Sequence, residues 1–80
     1  MDFLIFSVYD KVSGLYGNPF IAINNGVAKR SYAEYCNNSY SGSDTQLYVL
    51  GSFDQLTGHI DSLSAPEFVS GPIFTGGTNE

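Results

Sequence analysis

The sequence predicts an α+β fold, in which one helix packs on one face of a small four-stranded antiparallel sheet and the elements run in the order ββαββ. Three observations predict it. Four segments are rich in β-forming residues, one segment has helical periodicity, and turn residues separate them. We expect residues 1–63 to form a single domain and residues 64–80 to be a C-terminal tail, extended or disordered.

The first two strands are predicted at residues 3–9 and 20–23. Residues 3–9, FLIFSVY, are almost continuously apolar, which is typical of a strand covered on both faces. The segment between the strands, DKVSGLYGN at residues 10–18, holds two glycines and an asparagine, and we expect it to be a turn or wide loop. Pro19 then precedes the second strand, a position at which the missing proline N–H is tolerated.

One helix of roughly three turns is predicted over residues 27–37. The preceding residues 24–26, Asn-Asn-Gly, supply an N-cap, because an asparagine side chain can accept a hydrogen bond from a free amide of the first turn. Lys29 and Arg30 lie in that first turn, where the helix dipole slightly disfavours cations. Their position indicates that the basic pair has a role other than stabilising the helix.

Two further strands are predicted at residues 46–53 and 58–63, joined by a hairpin. Asp54 is expected to accept a hydrogen bond from the backbone two residues on, and Gly58 to adopt the positive φ of a bulge. A phosphate-binding loop would need more glycines, a lysine and a following helix, so we interpret this stretch as a turn. Its landmark residues are Gly51, Phe53, Asp54, Thr57 and Gly58.

Charge and hydropathy restrict the classes of function. Three basic residues against eight acidic ones give a net charge of −5. A strong electrostatic binder of nucleic acid makes about 6–10 phosphate contacts, so contact with DNA must be weak or led by aromatic stacking. The same acidity disfavours an anionic membrane surface, and no apolar run reaches the ~18 residues that span a bilayer. The first ten residues lack a basic region and a cleavage site, so we expect an intracellular protein without a signal peptide.

No group of residues predicts catalysis, and we expect a protein that is not an enzyme and holds no metal or other cofactor. Cys36 and His59 are each single in the sequence, and together they cannot complete a four-ligand zinc site. His59 and Asp61 share one face of a predicted strand, but an exposed pair of this kind is more often solvated than catalytic. Cys36 is expected to pack in the core.

Tyrosines and the basic pair are the candidate contact residues. Aromatic side chains on a sheet can stack on unpaired bases. Alternatively, Tyr32 and Tyr35 pack the helix on the sheet while the other tyrosines lie at its rim. The basic pair either touches a phosphate or an acidic partner, or forms a solvated helix face. The candidates are Lys29, Arg30, Tyr32, Tyr35, Tyr40 and Tyr48.

The sheet face away from the helix is expected to be apolar, with Leu4, Phe6 and Leu50 on it. An exposed patch of this kind usually marks an interface, and a chain of this length buries only ~60% of its unfolded surface. We therefore expect a homodimer or higher homo-oligomer. The predicted tail also carries residues expected to dock on the domain or on a partner, namely Phe68, Val69, Ile73 and Phe74.

The order of several motifs resembles a known family. The motifs are Val8-Tyr9-Asp10, a glycine-containing loop, Pro19-Phe20, NGVAKR at residues 25–30, Leu47-Tyr48, GSFD at residues 51–54 and Thr57-Gly58. Over residues 3–63, this order resembles the small nonstructural protein of gokushoviruses, single-stranded DNA phages of the Microviridae. In the resemblance, Arg30 corresponds to an arginine of the family's helix. The residues that correspond to its hairpin are Gly51, Phe53, Asp54, Thr57 and Gly58.

The resemblance implies a nonstructural phage protein, made in the host bacterial cytoplasm, that assists or regulates single-stranded DNA genome synthesis and packaging. It implies partners among the phage replication or procapsid proteins, with weak single-stranded DNA contact in addition. A second hypothesis is a direct single-stranded DNA-binding protein that uses the tyrosines together with Lys29 and Arg30. No membrane association is expected under either hypothesis.

Overall fold

A computed structural model describes residues 2–38 and 42–74, and this part of the chain contains one α-helix and a curled antiparallel sheet. The elements are β1 (Asp2–Asp10), β2 (Leu15–Tyr16), β3 (Phe20–Ala22), α1 (Asn25–Asn38), β4 (Thr45–Asp54) and β5 (Ile60–Ser70), with a short 3₁₀ helix at Gly42–Asp44. The predicted α+β class, with one helix on one face of an antiparallel sheet, is confirmed.

Two short strands share one edge of β1, so the five strands occupy four positions across the sheet. The order is β2 and β3, then β1, then β4, then β5. Tyr16 of β2 pairs with Tyr9, and Ile21 of β3 pairs with Ile5. Between β2 and β3 the Gly17 amide donates to the Val8 carbonyl oxygen at 2.8 Å, which keeps the connecting residues against β1.

β2 lies inside the segment that the sequence predicts to be a loop, residues 10–18, and this corrects the prediction. The chain turns over residues 11–14, where the Gly14 amide donates to the Asp10 carbonyl oxygen at 2.8 Å. Gly14 has a φ of 74°, a conformation that glycine adopts without steric cost. The tight turn returns the chain to β1 at once, so pairing resumes at Leu15.

The helix begins earlier than predicted, and the predicted asparagine cap is confirmed. The Asn24 side-chain oxygen accepts a hydrogen bond from the Val27 amide at 2.9 Å, and its carbonyl oxygen accepts one from the Ala28 amide at 3.1 Å. These bonds satisfy amide groups that have no partner within the first turn. The residues of α1 buried against the sheet are spaced four apart: Ala28, Tyr32 and Cys36. The prediction that Cys36 packs in the core is confirmed.

The hydrophobic core lies between α1 and one face of the sheet. Strand residues that point toward the helix alternate with residues that point away along β1 and along residues 45–49 of β4, as the pleat requires. The buried apolar residues are Phe6, Ala22, Ala28, Tyr32, Cys36, Leu47 and Val49. The partly buried residues packed against them include Leu4, Val8, Val69 and Ile73.

A buried chain of hydrogen bonds joins α1 to the start of β4. The Thr45 hydroxyl donates to the Gly42 carbonyl oxygen at 2.6 Å, so the Tyr32 hydroxyl, 2.9 Å from Thr45 Oγ1, acts as donor to that oxygen. Tyr32 is only 1% exposed. Burial raises the pKa of the Tyr32 hydroxyl to about 12, because the phenolate would lose its hydration, and the hydrogen bond to Thr45 offsets only part of this effect.

The pairing of β4 with both of its neighbours is irregular at Leu50. Ile5 pairs with Gly51 and Phe6 with Val49, which leaves Leu50 as an extra residue in a β-bulge. A side chain at position 51 would collide with the Asp61 carbonyl oxygen of β5. Glycine at this position therefore allows the backbones of β4 and β5 to approach closely.

β5 is longer than predicted, which corrects the prediction that the last strand ends at residue 63. Its pairing with β4 passes from Ser62 directly to Glu67, so residues 63–66 bulge out of the ladder and hide the strand pattern. The strand then continues to Ser70, so residues 64–70, which the sequence assigned to the tail, belong to the sheet. Residues 75–80 of the predicted tail lie outside the described part of the chain.

The face of the sheet away from the helix carries different residues from those predicted. Phe6 is 0% exposed and Leu4 packs against the core, so both lie on the helix side, while Leu50 is the bulge residue. Alternation of hydrophobicity normally reveals which face is buried. In residues 3–9, however, both faces carry apolar side chains and only Ser7 is clearly polar. The β1 residues that point away from the helix are Phe3, Ile5, Ser7 and Tyr9.

Thr45→Val is expected to lower the free energy of unfolding by about 1–3 kcal/mol, because it leaves the Tyr32 hydroxyl and the Gly42 carbonyl oxygen buried without their partner. Urea denaturation measures the change. Tyr35→Phe, which removes a hydroxyl from an exposed tyrosine of the same helix, is the matched control and is expected to have little effect. If Thr45→Val is as stable as the wild type, these hydrogen bonds do not hold the helix to β4.

Tyr32 is also expected to make stability fall at alkaline pH. Its pKa rises from 10.0 to about 12 on folding, so its stabilising contribution is complete below the unfolded value and is lost as the pH rises from 10.0 toward about 12. Tyr32→Phe removes this contribution. Urea denaturation across the interval is expected to show the wild type losing more stability than the variant, and parallel pH profiles would contradict the assignment.

Gly51→Ala is expected to disturb the pairing of β4 with β5 more than Gly58→Ala disturbs the hairpin. At position 51 the added carbon meets two backbone groups of β5. At Gly58 the added carbon meets no atom, and the substitution costs only the ~1–2 kcal/mol of placing a residue with a side chain in the left-handed conformation. Hydrogen exchange of the β5 amides measures the difference, with Ser52→Ala as a control on β4. If the β5 amides of Gly51→Ala exchange at the wild-type rate, the close approach of the β4 and β5 backbones is contradicted.

Candidate functional site

The two basic residues of α1 line a groove between the helix and the segment that follows β5. This helix groove has a volume of ≈ 450 Å³, and its lining includes Lys29, Arg30, Glu34, Asn37 and Ile73. The Asn37 side-chain nitrogen lies 3.4 Å from the Ile73 carbonyl oxygen and donates a hydrogen bond to it, which holds one wall of the groove to the other. Two cations therefore share the lining of the groove with a partly buried apolar side chain, an arrangement suited to a segment with both acidic and apolar residues.

The predicted tyrosines do not join the basic pair. Tyr32 is buried in the core. Tyr35 is exposed, but its ring stacks on Tyr32 with centroids 6.5 Å apart, and it lines a separate cavity of ≈ 390 Å³ with Asp10 and Leu15. Tyr40 lies outside the described residues. Of the predicted contact residues on α1, the structure brings together Lys29 and Arg30.

Tyr48 lies on the opposite side of the sheet, within an aromatic cluster of Tyr9, Tyr16, Tyr48 and Phe68. Tyr48 makes edge-to-face contacts with each of the other three, at centroid distances of 5.7 to 5.9 Å. Tyr9 and Tyr16 contact each other at 4.8 Å. Sequence reasoning identified Tyr48 but missed Tyr9 and Tyr16. Recognition of the tight turn at Gly14 would have placed these two opposite each other.

The other end of the same sheet face holds an apolar depression. Its volume is ≈ 310 Å³, and its lining includes Ile5, Ile21, Phe53 and Ile60. Register places these four on the face that carries Tyr9 and Tyr48, since Ile5 pairs with Ile21 and Phe53 pairs with Ile60. We call the whole surface, which includes the aromatic cluster and the depression, the open face. Its large residues are Phe3, Ile5, Tyr9, Tyr16, Ile21, Tyr48, Phe53, Ile60 and Phe68.

The carboxylates of the described strands all lie on the helix side of the sheet. Alternation from Phe6 places Asp2 and Asp10 on this side. The other three carboxylates lie on the same side as the residues they pair with. Asp54 pairs with Asp2, and Glu67 pairs with Val49 of the core. Asp61 pairs with Ser52, which in turn pairs with Leu4 on the helix side. The paired positions of the open face carry no Asp, Glu, Lys, Arg or His. The strand carboxylates and the aromatic cluster thus lie on opposite sides of the sheet.

Residues 3–73 of the chain match a family model described as Phage ORF5 protein. The chain belongs to the Phage ORF5 protein family. It is a bacteriophage protein, as the sequence resemblance implied, while the narrower gokushovirus assignment stays a prediction. No curated protein and no solved structure matches the chain.

The family match covers the helix groove and extends beyond residue 63, the predicted end of the domain. It includes all of β5 and Ile73, the residue that closes the groove against the helix. The matched region of this phage protein thus contains the basic pair, the aromatic cluster and the apolar depression.

The hairpin landmarks of the phage protein have the turn structure that the sequence predicts. The Leu56 amide donates to Asp54 Oδ1 at 2.9 Å, the Gly58 amide donates to the Asp54 carbonyl oxygen at 2.8 Å, and Gly58 has a φ of 76°. The hydrogen bond from the Leu56 amide lowers the pKa of the Asp54 carboxyl group. Thr57 Oγ1 accepts a hydrogen bond from the His59 amide at 3.2 Å. These contacts account for Asp54, Thr57 and Gly58 by local structure.

His59 and Asp61 form a hydrogen bond of 3.1 Å between Nε2 and Oδ1, as their shared strand face predicts. The two side chains are 69% and 76% exposed, so water competes with the pair. Among the described residues there is no group of three or more His, Cys, Asp or Glu that could hold a metal ion. No helix within residues 2–38 and 42–74 has the length and apolarity needed to cross a membrane. That the protein is not an enzyme stays a prediction.

Proposed function

We propose that this phage protein assists or regulates single-stranded DNA genome synthesis and packaging without catalysis, by binding a phage replication or procapsid protein in the host cytoplasm. The observation that carries the proposal is the helix groove, which places Lys29 and Arg30 beside Ile73. Two of the three cations of an acidic chain are adjacent at this one groove. The membership in a phage family and the resemblance to gokushovirus nonstructural proteins support the process in which we place it.

The geometry favours a protein partner over nucleic acid. A protein that binds single-stranded DNA without sequence preference combines stacking aromatics and cations along one path. Here the aromatic cluster lies on the open face, whereas Lys29 and Arg30 lie on the helix on the other side of the sheet. The strand carboxylates also lie on the helix side and would repel phosphates.

The chemistry of the groove indicates the kind of segment it takes. Lys29 and Arg30 favour a carboxylate, Ile73 favours an apolar side chain, and Glu34 disfavours a second carboxylate placed next to it. We infer that the partner presents a short segment in which an acidic residue lies close to an apolar one. Such contacts give specificity at modest affinity, which suits a partner that must be released.

The role in the phage is tested by Arg30→Glu in the phage genome, with Lys11→Glu as the matched control because both change an exposed cation into an anion. Arg30→Glu is expected to leave duplex viral DNA at wild-type level while single-stranded genomes and filled particles decrease several-fold. Southern analysis of the infected cells measures both DNA forms. Equal yields from Arg30→Glu and the wild type would contradict the proposal.

The partner is tested with the phage's own replication-initiation protein and empty procapsids, each immobilised and probed with the purified chain. One of the two is expected to retain the wild type and Lys11→Glu but to bind Arg30→Glu at least about tenfold more weakly, a change of ~1.4 kcal/mol. Failure of both to retain the wild type would overturn the proposal.

Direct DNA binding is tested by titrating a fluorescent single-stranded oligonucleotide at low salt. The proposal expects no more than a weak rise in anisotropy. A strong rise that falls steeply with added salt, and that is lost in Tyr48→Ala, would favour the second hypothesis, that of a single-stranded DNA-binding protein.

A further inference from the structure

We propose that the open face is a self-association interface, on which two copies of the chain pack face to face around a two-fold axis. This surface lies on the opposite side of the sheet from the helix groove, so the proposal is independent of the function proposed above. Three observations identify a second copy as the occupant: the distribution of charge, the size of the face and the shapes of its two ends.

The charge distribution removes the main obstacle to pairing. Each copy carries a net charge of −5, and like charges brought together at an interface are strongly unfavourable. The five strand carboxylates all point toward the helix side, and Lys29 and Arg30 are on the helix itself. Two copies that meet through their open faces therefore bring no strand charge into contact, whereas contact through the helix side of the sheet would involve all five carboxylates.

The face is large enough for a stable dimer. The molecule measures 44 × 27 × 16 Å. It has two layers, one helix on one sheet, so we take the shortest dimension to run through the layers and the two longer dimensions to lie along the sheet. The area enclosed by the two longer dimensions exceeds the ~800 Å² that each partner buries in a standard interface. Residues of this face that are exposed in the single chain include Tyr16, Ile21, Ile60 and Phe68.

The two ends of the face differ, with aromatic rings at one end and a depression at the other. The aromatic cluster lies where β1 ends, around Tyr9 and Tyr48, and the depression lies nearer the start of β1, around Ile5 and Phe53. A two-fold axis across the strands exchanges these ends, so the cluster of each copy enters the depression of the other. One surface thereby serves both partners, as a two-fold interface requires.

This arrangement brings two particular residues of β5 together across the axis. Phe68 pairs with Tyr48 in the aromatic cluster, and Ile60 pairs with Phe53 beside the depression. The two positions are about 15 Å apart within one chain, at ~3.3 Å per residue along β4. In the dimer, Phe68 of one copy faces Ile60 of the other, so opposite charges placed at these positions would pair between chains but not within one.

The test measures the molar mass of the full chain by sedimentation equilibrium at micromolar concentrations. Phe68→Glu and Ile60→Lys replace side chains that are 57% and 61% exposed, so neither should disturb the fold, and circular dichroism checks this. Leu56→Glu, at an 89% exposed apolar residue of the hairpin tip, is the matched control. The wild type and Leu56→Glu are expected to have twice the monomer mass, and each open-face variant the monomer mass.

The double variant Phe68→Glu with Ile60→Lys is expected to regain the dimer mass, because the new charges attract each other between chains. Raising the salt concentration should strengthen wild-type pairing, since it screens the net repulsion of two acidic copies, and should weaken the pairing of the double variant. A monomeric wild type, or a dimer that persists in both single variants, would overturn the proposal. A double variant that stays monomeric would overturn the two-fold arrangement.

Discussion

The structure depends on one constraint, which is that β1 is apolar on both of its faces. The described chain has one α-helix to cover it, and α1 packs on the side of Phe6 and Val8. The residues that alternate with them are left on the other side, which creates the open face. The positions of the helix groove and of the aromatic surface, on opposite sides of the sheet, follow from this arrangement.

The separation of charge from aromatic surface decides what each side can bind. The helix side combines two cations with several carboxylates, so its contacts with a partner depend on the placement of individual charges. The open face lacks charge at its paired positions, so its contacts depend on shape and apolar area. Under the two proposals made above, a second copy binds on one side while the other side stays available to a different protein.

Local signals predicted more of the fold than of the surface. Turn chemistry located the hairpin at Asp54 and Gly58, and the asparagine before the helix marked its start, because both depend on hydrogen bonds between neighbouring residues.

The faces of β1 were not predictable, since its apolar residues do not alternate with polar ones. The late end of β5 was missed because a bulge disrupts its pattern, and the aromatic cluster was missed because its members meet through strand pairing. The basic pair was predicted as a contact site, but its partner in the groove, Ile73, joins it only through the path of the chain after β5.

The bulge at residues 63–66 affects how far any assembly can grow. β5 lies at the edge of the sheet, and a long regular edge strand is a template for adding further chains without limit. Here the ladder is interrupted in the middle of the strand, and Pro66 at the interruption has no N–H to offer. Continuous edge-to-edge polymerisation into fibrils is therefore blocked along β5, which favours assemblies of finite size.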